Sequence, residues 1–191
     1  MSARPRLAAL ELAEDPDAFA ALGFTVEDGV CLVAGTELRL AGGGGGITGW
    51  ELGDGPVHGA RHRAHPNGVV LVDHVVLRTP DLQRDVAALE ARGLELRRTR
   101  DVETTTGTLR QAFLPLADAL VEVVGPVEPT GGGPLTFWGV TLVTQDLDAT
   151  AALLGDRLGP VRDAVQPGRR IATVRAEAAG VRTPLALMTR R

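Results

Sequence analysis

No lysine occurs anywhere in the 191 residues, so all 20 basic side chains are arginine. That absence removes every reaction that runs through a lysine Schiff base and every phosphate loop built on a Walker lysine. Tyrosine is missing too and aromatics make up only 3% of the chain, which leaves few surfaces on which nucleobases could stack. The formal net charge of -4 gives no basic footprint for nucleic acid or an anionic membrane surface. The single cysteine, Cys31, excludes an intrachain disulfide and a partnered Cys/His zinc pattern, and it reads as a reducing, intracellular setting. Residues 1–6 lead into a stretch broken by Glu11, Glu14 and Asp15, too short and too charged for a signal peptide or a spanning helix. The expectation is a cytoplasmic protein. A hydrophobic fraction of 44% supports one globular domain or a few small repeated units with a sizeable core.

What is present is a repeat. A constant shift of 65 lays residues 72–90 over 137–155, pairing Val75 with Val140, Leu77 with Leu142, Thr79 with Thr144, Asp81 with Asp146, Leu82 with Leu147 and Leu89 with Leu154. Each copy opens on an apolar strand, reaches a Thr-x-Asp-Leu helix start and runs through an Ala/Leu-rich helix to Gly93 or Gly155. Further β-like runs follow at 94–98, 109–114 and 119–124 in one copy and at 161–165, 170–176 and 184–189 in the other. Both read as βαβββ units. The first sixty residues read as a shortened third copy, with strands at 7–12, 29–33, 37–40 and 47–52 and a brief helix capped by Asp15. The glycines at 42–46 form a turn or tip, because no Lys, Ser or Thr follows at phosphate-loop spacing. The division is therefore a shortened unit at 1–57, a linker at 58–67, a βαβββ unit at 68–126, a linker at 127–134 and a βαβββ unit at 135–191. The fold class is α+β.

A tandem βαβββ repeat with Asp73-His74-Val75-Val76 on its first strand and Val121-Glu122-Val123-Val124-Gly125 on its last resembles the vicinal oxygen chelate superfamily. That superfamily includes the glyoxalases, the bleomycin-resistance proteins and the extradiol dioxygenases. The resemblance implies paired units curled around a cleft, with a divalent metal such as Zn, Ni, Mn or Fe held by side chains of first and last strands. It makes His74 and Glu122 the metal candidates and Glu122 a catalytic base, in a small-molecule lyase or isomerase with no organic cofactor. Strand period agrees, placing His74, Val76 and Arg78 on one face and Glu122 on a face with Leu120 and Val124. A Glu inside Ala-Leu-Val-Glu-Val-Val is costly to bury without a cation or hydrogen-bond partner.

The third unit departs from the pattern: the same shift sets Gly139 against His74 and Leu187 against Glu122. Half a metal site results, and this favours the alternative of a metal-free, drug-sequestering binding protein with the same fold. Glu51 could complete a His/Glu/Glu set if the first two units pair. An extradiol dioxygenase fits less well, since its iron needs two His and a carboxylate. The plain readings stand beside these: His74 bonded to Asp73, and Glu122 paired with Arg78 or Arg110. His58, His62 and His65 sit among Gly and Pro and read as a solvated linker. Arg78, Gln111, Thr141 and Arg170 are the substrate-binding candidates, Arg170 as a carboxylate clamp. Trp138 falls on the side away from the cleft and reads as core. The cleft wall of the third unit is expected at Gly139, Thr141, Val143, Leu185 and Leu187, a pocket for a small organic molecule with one polar end. Unpaired strand edges on three units point to a homodimer.

Overall fold

The computed structural model describes residues 4–54, 63–105 and 107–190. The second repeat unit comprises β5 (Val69–Arg78), α2 (Leu82–Glu90), β6 (Arg98–Thr104), β7 (Gly107–Pro115) and β8 (Leu120–Pro126). The third comprises β9 (Thr136–Thr144), α3 (Leu147–Leu154), β10 (Arg162–Asp163), β11 (Arg170–Thr173) and β12 (Leu185–Thr189), with a short helix α4 (Ala176–Ala179) before the last strand. In each unit the last strand lies parallel to the first, and β5 and β9 pair antiparallel at the centre. The result is one eight-stranded sheet in the order β10-β11-β12-β9-β5-β8-β7-β6.

The Thr-x-Asp-Leu signals work as N-caps. Asp81 accepts from the Arg84 N–H, and Asp146 accepts from those of Asp148 and Ala149, both at 3.0 Å. These side chains fill donors that the first helical turn leaves open. Asp146→Ala is expected to cost about 1 kcal/mol of stability, read as a lower urea midpoint at unchanged slope.

The sheet is apolar on its helix-covered face. Val75, Leu77, Val121, Val123, Val140, Leu142 and Leu187 are buried, and Leu82, Val86, Leu89, Leu147 and Leu154 from α2 and α3 join them in one core. Leu187 pairs with Leu142, so the backbone register turns it toward this face, away from the expected cleft wall, whereas Leu185 reaches the cleft. The residue that matches Glu122 by pairing is Ala186, because Val76 lies beside Glu122 and Thr141 beside Ala186.

The first sixty residues fold as β1 (Arg6–Leu12), α1 (Pro16–Ala21), β2 (Val30–Val33), β3 (Thr36–Leu40) and β4 (Ile47–Gly53), a four-stranded sheet ordered β2-β3-β1-β4. Here β3 is the strand parallel to β1, whereas β4 runs antiparallel on the other side of β1. Thus β3 takes the last-strand place, and β4 takes the place beside β1 that β9 takes beside β5. Residues 41–46 carry the chain past the end of β1, with Ala41 bonded to Leu12 and Gly45 to Ala13. Four of these glycines have positive φ, and a Cβ on Gly45 would collide with the Arg182 side chain.

Buried polar groups join the sheets. The Glu14 carboxylate accepts from the backbone of Gly46, Arg182 and Thr183 and from the Thr183 hydroxyl. Asn67 donates to the Leu22 carbonyl, while its own carbonyl accepts from the Thr144 and Thr150 hydroxyls. Trp50 meets Phe137 edge-on at 5.4 Å. Among the described residues no helix is long and apolar enough to cross a membrane.

Candidate functional site

The face of the large sheet opposite the helices carries the cleft. Cross-strand register sets His74 beside Leu120, Val76 beside Glu122, and Arg78 beside Val124. On the next strands Phe113 continues the Glu122 row and Gln111 the Arg78 row, ending on Arg98 and Arg100 of β6. From the other unit Thr141 stands beside His74. His74, Arg78, Gln111, Glu122 and Thr141 therefore line one cavity of about 330 Å³. A neighbouring space of about 380 Å³ shares His74, Gln111, Glu122, Arg162 and Ile171 and adds Arg100 and Asp163.

Arg170 is not brought there. Ile171 and Thr173 are the β11 residues that line the cleft, and the Arg170 guanidinium instead grips Asp148 of α3 at 2.7 and 3.0 Å on the exterior. Trp138, in contrast, lines the cleft with 42% of its surface exposed. The β5–β9 pairing skips one residue between Phe137 and Gly139, and this bulge redirects the ring against simple alternation. Arg78 lies over the indole at 4.4 Å, a cation–π contact. Glu51 is elsewhere. It binds Arg39, which also holds Glu11 and Glu37, on an outer face of the small sheet. Its strand is not the last-strand equivalent, so it adds nothing to the His74 site. His65 is buried rather than solvated: Nδ1 accepts from the Thr25 N–H and Nε2 meets the Leu32 carbonyl. His58 and His62 lie outside the described residues. Burial pushes the Cys31 thiol up to about 12, which leaves it a poor nucleophile.

Hydrogen bonds, with one longer His74–Glu122 contact, link the site residues across five strands and turns. Arg169, 4% exposed at its side chain, donates to Asp73 at 2.6 Å and to the Thr189 carbonyl. Asp73 sits at a second skip in the β5–β9 ladder and meets His74 Nδ1 at 2.8 Å. Burial alone would raise the Asp73 pKa, but the bonds from His74 and Arg169 hold it down at about 2, so the carboxylate is ionised and Nδ1 carries the proton. The imidazole then presents Nε2 to the cleft, 3.9 Å from a Glu122 oxygen. Gln111 donates to the other Glu122 oxygen at 2.6 Å and accepts from Arg100 through its own carbonyl. Neither Arg78 nor Arg110 pairs with Glu122, and Arg110 is engaged by Asp101. Burial raises the Glu122 pKa, with only partial relief from His74, Arg100, Arg98 and Gln111.

Asp73, Arg100, Arg162, Arg169 and Trp138 are the site residues that the sequence reading did not select. Only the Asp73-His74 adjacency signalled one of them.

A resident divalent ion does not fit this arrangement. Tetrahedral or octahedral coordination needs three or more protein donors for firm binding, and the cleft offers His74 Nε2 and one Glu122 oxygen. Gln111 is committed at both ends of its amide. The position opposite His74 cannot supply a donor, since a Cβ on Gly139 would lie 2.5 Å from the Pro184 carbonyl oxygen. The position matching Glu122 is Ala186. Arg78, Arg100 and Arg162 add positive charge to the same walls, against the one further carboxylate of Asp163 in the neighbouring space. Among the described residues no group of three His, Cys, Asp or Glu is placed to hold an ion.

No protein-family model matches the chain, and no curated protein matches it. Solved structures do. A triple mutant of 4-hydroxymandelate synthase from Streptomyces coelicolor superposes with a TM-score of 0.64, covering 100% of this chain and 94% of that one at 13% identity. Homoprotocatechuate 2,3-dioxygenase from Arthrobacter globiformis gives 0.58, covering 99% and 80% at 15% identity. At these identities the likeness establishes the fold. A methylmalonyl-CoA epimerase from Mycobacterium tuberculosis aligns over 65% of this chain and 90% of its own at 19% identity, with a TM-score of 0.49.

Proposed function

Starting from a chain with the vicinal oxygen chelate fold, we propose that its cleft binds a small organic anion and holds it through arginine rather than through a resident metal ion. The observation that carries this reading is the one-sided donor set. His74 and Glu122 face Gly139 and Ala186 across the cleft, while Arg78, Arg100 and Arg162 line it. Guanidinium groups offer forked donors that match a carboxylate, and Val76, Val124 and Ile171 give the organic remainder apolar surface. The protein is then a sequestering or carrier protein of the glyoxalase-like fold.

A second reading, an isomerase or lyase, is favoured by Glu122 itself. A buried carboxyl of raised proton affinity, fixed at one oxygen by Gln111, is suited to taking a proton from a carbon beside a carbonyl and returning it. His74, oriented by Asp73, would bond the adjoining oxygen through Nε2.

Benzoate and pyruvate are the probes. Tryptophan fluorescence is expected to show saturable quenching that is lost in Trp138→Phe, with affinity weakened by about tenfold in Arg78→Leu. Absence of saturable binding, or unchanged affinity in Arg78→Leu, would overturn the anion-binding reading. Proton exchange at the pyruvate methyl group in heavy water, abolished by Glu122→Gln, would establish the second reading over the first.

A further inference from the structure

A second cavity, of about 550 Å³, opens at the other end of the large sheet, where β5 begins and the turn between β7 and β8 approaches the end of β12. Its polar lining is unbalanced. Arg97, Arg98, Arg169 and Arg190 stand against only two carboxylates, Asp73 and Asp118. Both carboxylates are engaged, Asp73 by His74 and Arg169 and Asp118 by the Leu7 N–H. Among the lining residues the arginines exceed the carboxylates by two.

The arginines themselves are open to a ligand. Among the described residues the Arg97 and Arg190 side chains have no hydrogen-bond or carboxylate partner, and Arg98 is stacked on Phe113 at 4.2 Å with its N–H edge unused. Arg169 is the most informative of the four. Its side chain is 4% exposed, Nε and one terminal nitrogen are bonded to Thr189 and Asp73, and Nη1 has no partner. That nitrogen is not sealed from solvent, so it stays open to an acceptor entering the cavity. The rest of the wall is apolar, through Leu71, Phe113, Leu120 and Val143.

We propose that this cavity is a binding site for a phosphate dianion, either free or as a phosphomonoester whose organic part packs on the apolar wall. A phosphate monoester carries close to two negative charges near neutral pH and presents three acceptor oxygens, which matches the excess of two positive charges and several undirected guanidinium donors. A carboxylate would answer only one of those charges. The cavity is separate from the one at His74 but shares Asp73 and Arg169 with its hydrogen-bonded network, and the proposal does not depend on what that cleft binds.

The test is calorimetric titration of phenyl phosphate, phenyl sulfate and inorganic phosphate at fixed ionic strength, so that the screening length is the same in every titration. Phenyl phosphate is expected to bind more tightly than the singly charged phenyl sulfate. The double variant Arg97→Gln/Arg190→Gln, which changes only exposed side chains, is expected to lose about tenfold or more. Arg78→Leu, in the other cleft, is expected to leave this affinity unchanged. Tighter binding of phenyl phosphate than of inorganic phosphate identifies an ester ligand, and equal binding identifies the free anion. Phenyl phosphate binding no better than phenyl sulfate, or full affinity in the double variant, would overturn the site.

Discussion

Glu14→Ala is expected to destabilise the protein by roughly 3–5 kcal/mol, because each hydrogen bond to a buried charge contributes about 1.5–3 kcal/mol and its loss strands several donors at once. The carboxylate is 3% exposed and gathers N–H groups from the glycine turn before β4 and from the loop before β12, so it fastens the small sheet to the large one. For a domain of this size the loss corresponds to a fall of about 10 °C in Tm, readable by calorimetry. Glu14→Gln keeps one acceptor and is expected to lose less. Burial alone would raise the Glu14 pKa, but the bonds from Thr183, Gly46 and Arg182 keep it below the ordinary value of 4.5. Its contribution is therefore complete above that value and fades as pH falls through the lower folded pKa.

Arg169→Leu is expected to have an effect of similar size, about 3–5 kcal/mol, since removing one partner of a buried pair leaves the other charge uncompensated. Asp73 would keep only His74. In the native protein its folded pKa of about 2 lies below the ordinary 3.8, so its share of stability is whole above 3.8 and is lost as pH falls through about 2. The variant is expected to shift that loss to higher pH. Urea unfolding of wild type, Arg169→Leu, Asp73→Asn and the double variant measures the coupling, and a coupling near zero would show that the pair contributes nothing.

How much of this was legible in the sequence depended on whether regular strand alternation held. The shift of 65 located both helices and their caps because Thr-x-Asp-Leu is a local signal. It also set His74, Glu122, Gln111, Arg78 and Thr141 on strands that do share a cavity. Strand β6 was misplaced at 94–98. Its residues Arg-Thr-Arg-Asp-Val-Glu-Thr form a polar, largely exposed edge strand without apolar alternation, and only pairing with β7 reveals it. Trp138 falls on the wrong side under a period of two, which ignores the skipped residue in the β5–β9 ladder. Arg170 was chosen over its neighbour Arg169, although the turn buries Arg169 and sends Arg170 to α3. In the N-terminal unit the strands were found but their order was not, because β3 and β4 are equally apolar and only the path of the glycine turn decides which of them lies parallel to β1.

The central claim is that this cleft keeps the fold's first-strand and last-strand positions in one unit without forming a metal centre. The most direct measurement is calorimetric titration of nickel, zinc, manganese and ferrous ions into metal-stripped protein, beside a His74→Ala variant. The donor set predicts no stoichiometric uptake at micromolar ion, and traces for wild type and variant that coincide. A one-to-one complex saturating at micromolar ion and lost in His74→Ala would contradict the claim and return His74 and Glu122 to the role of metal ligands.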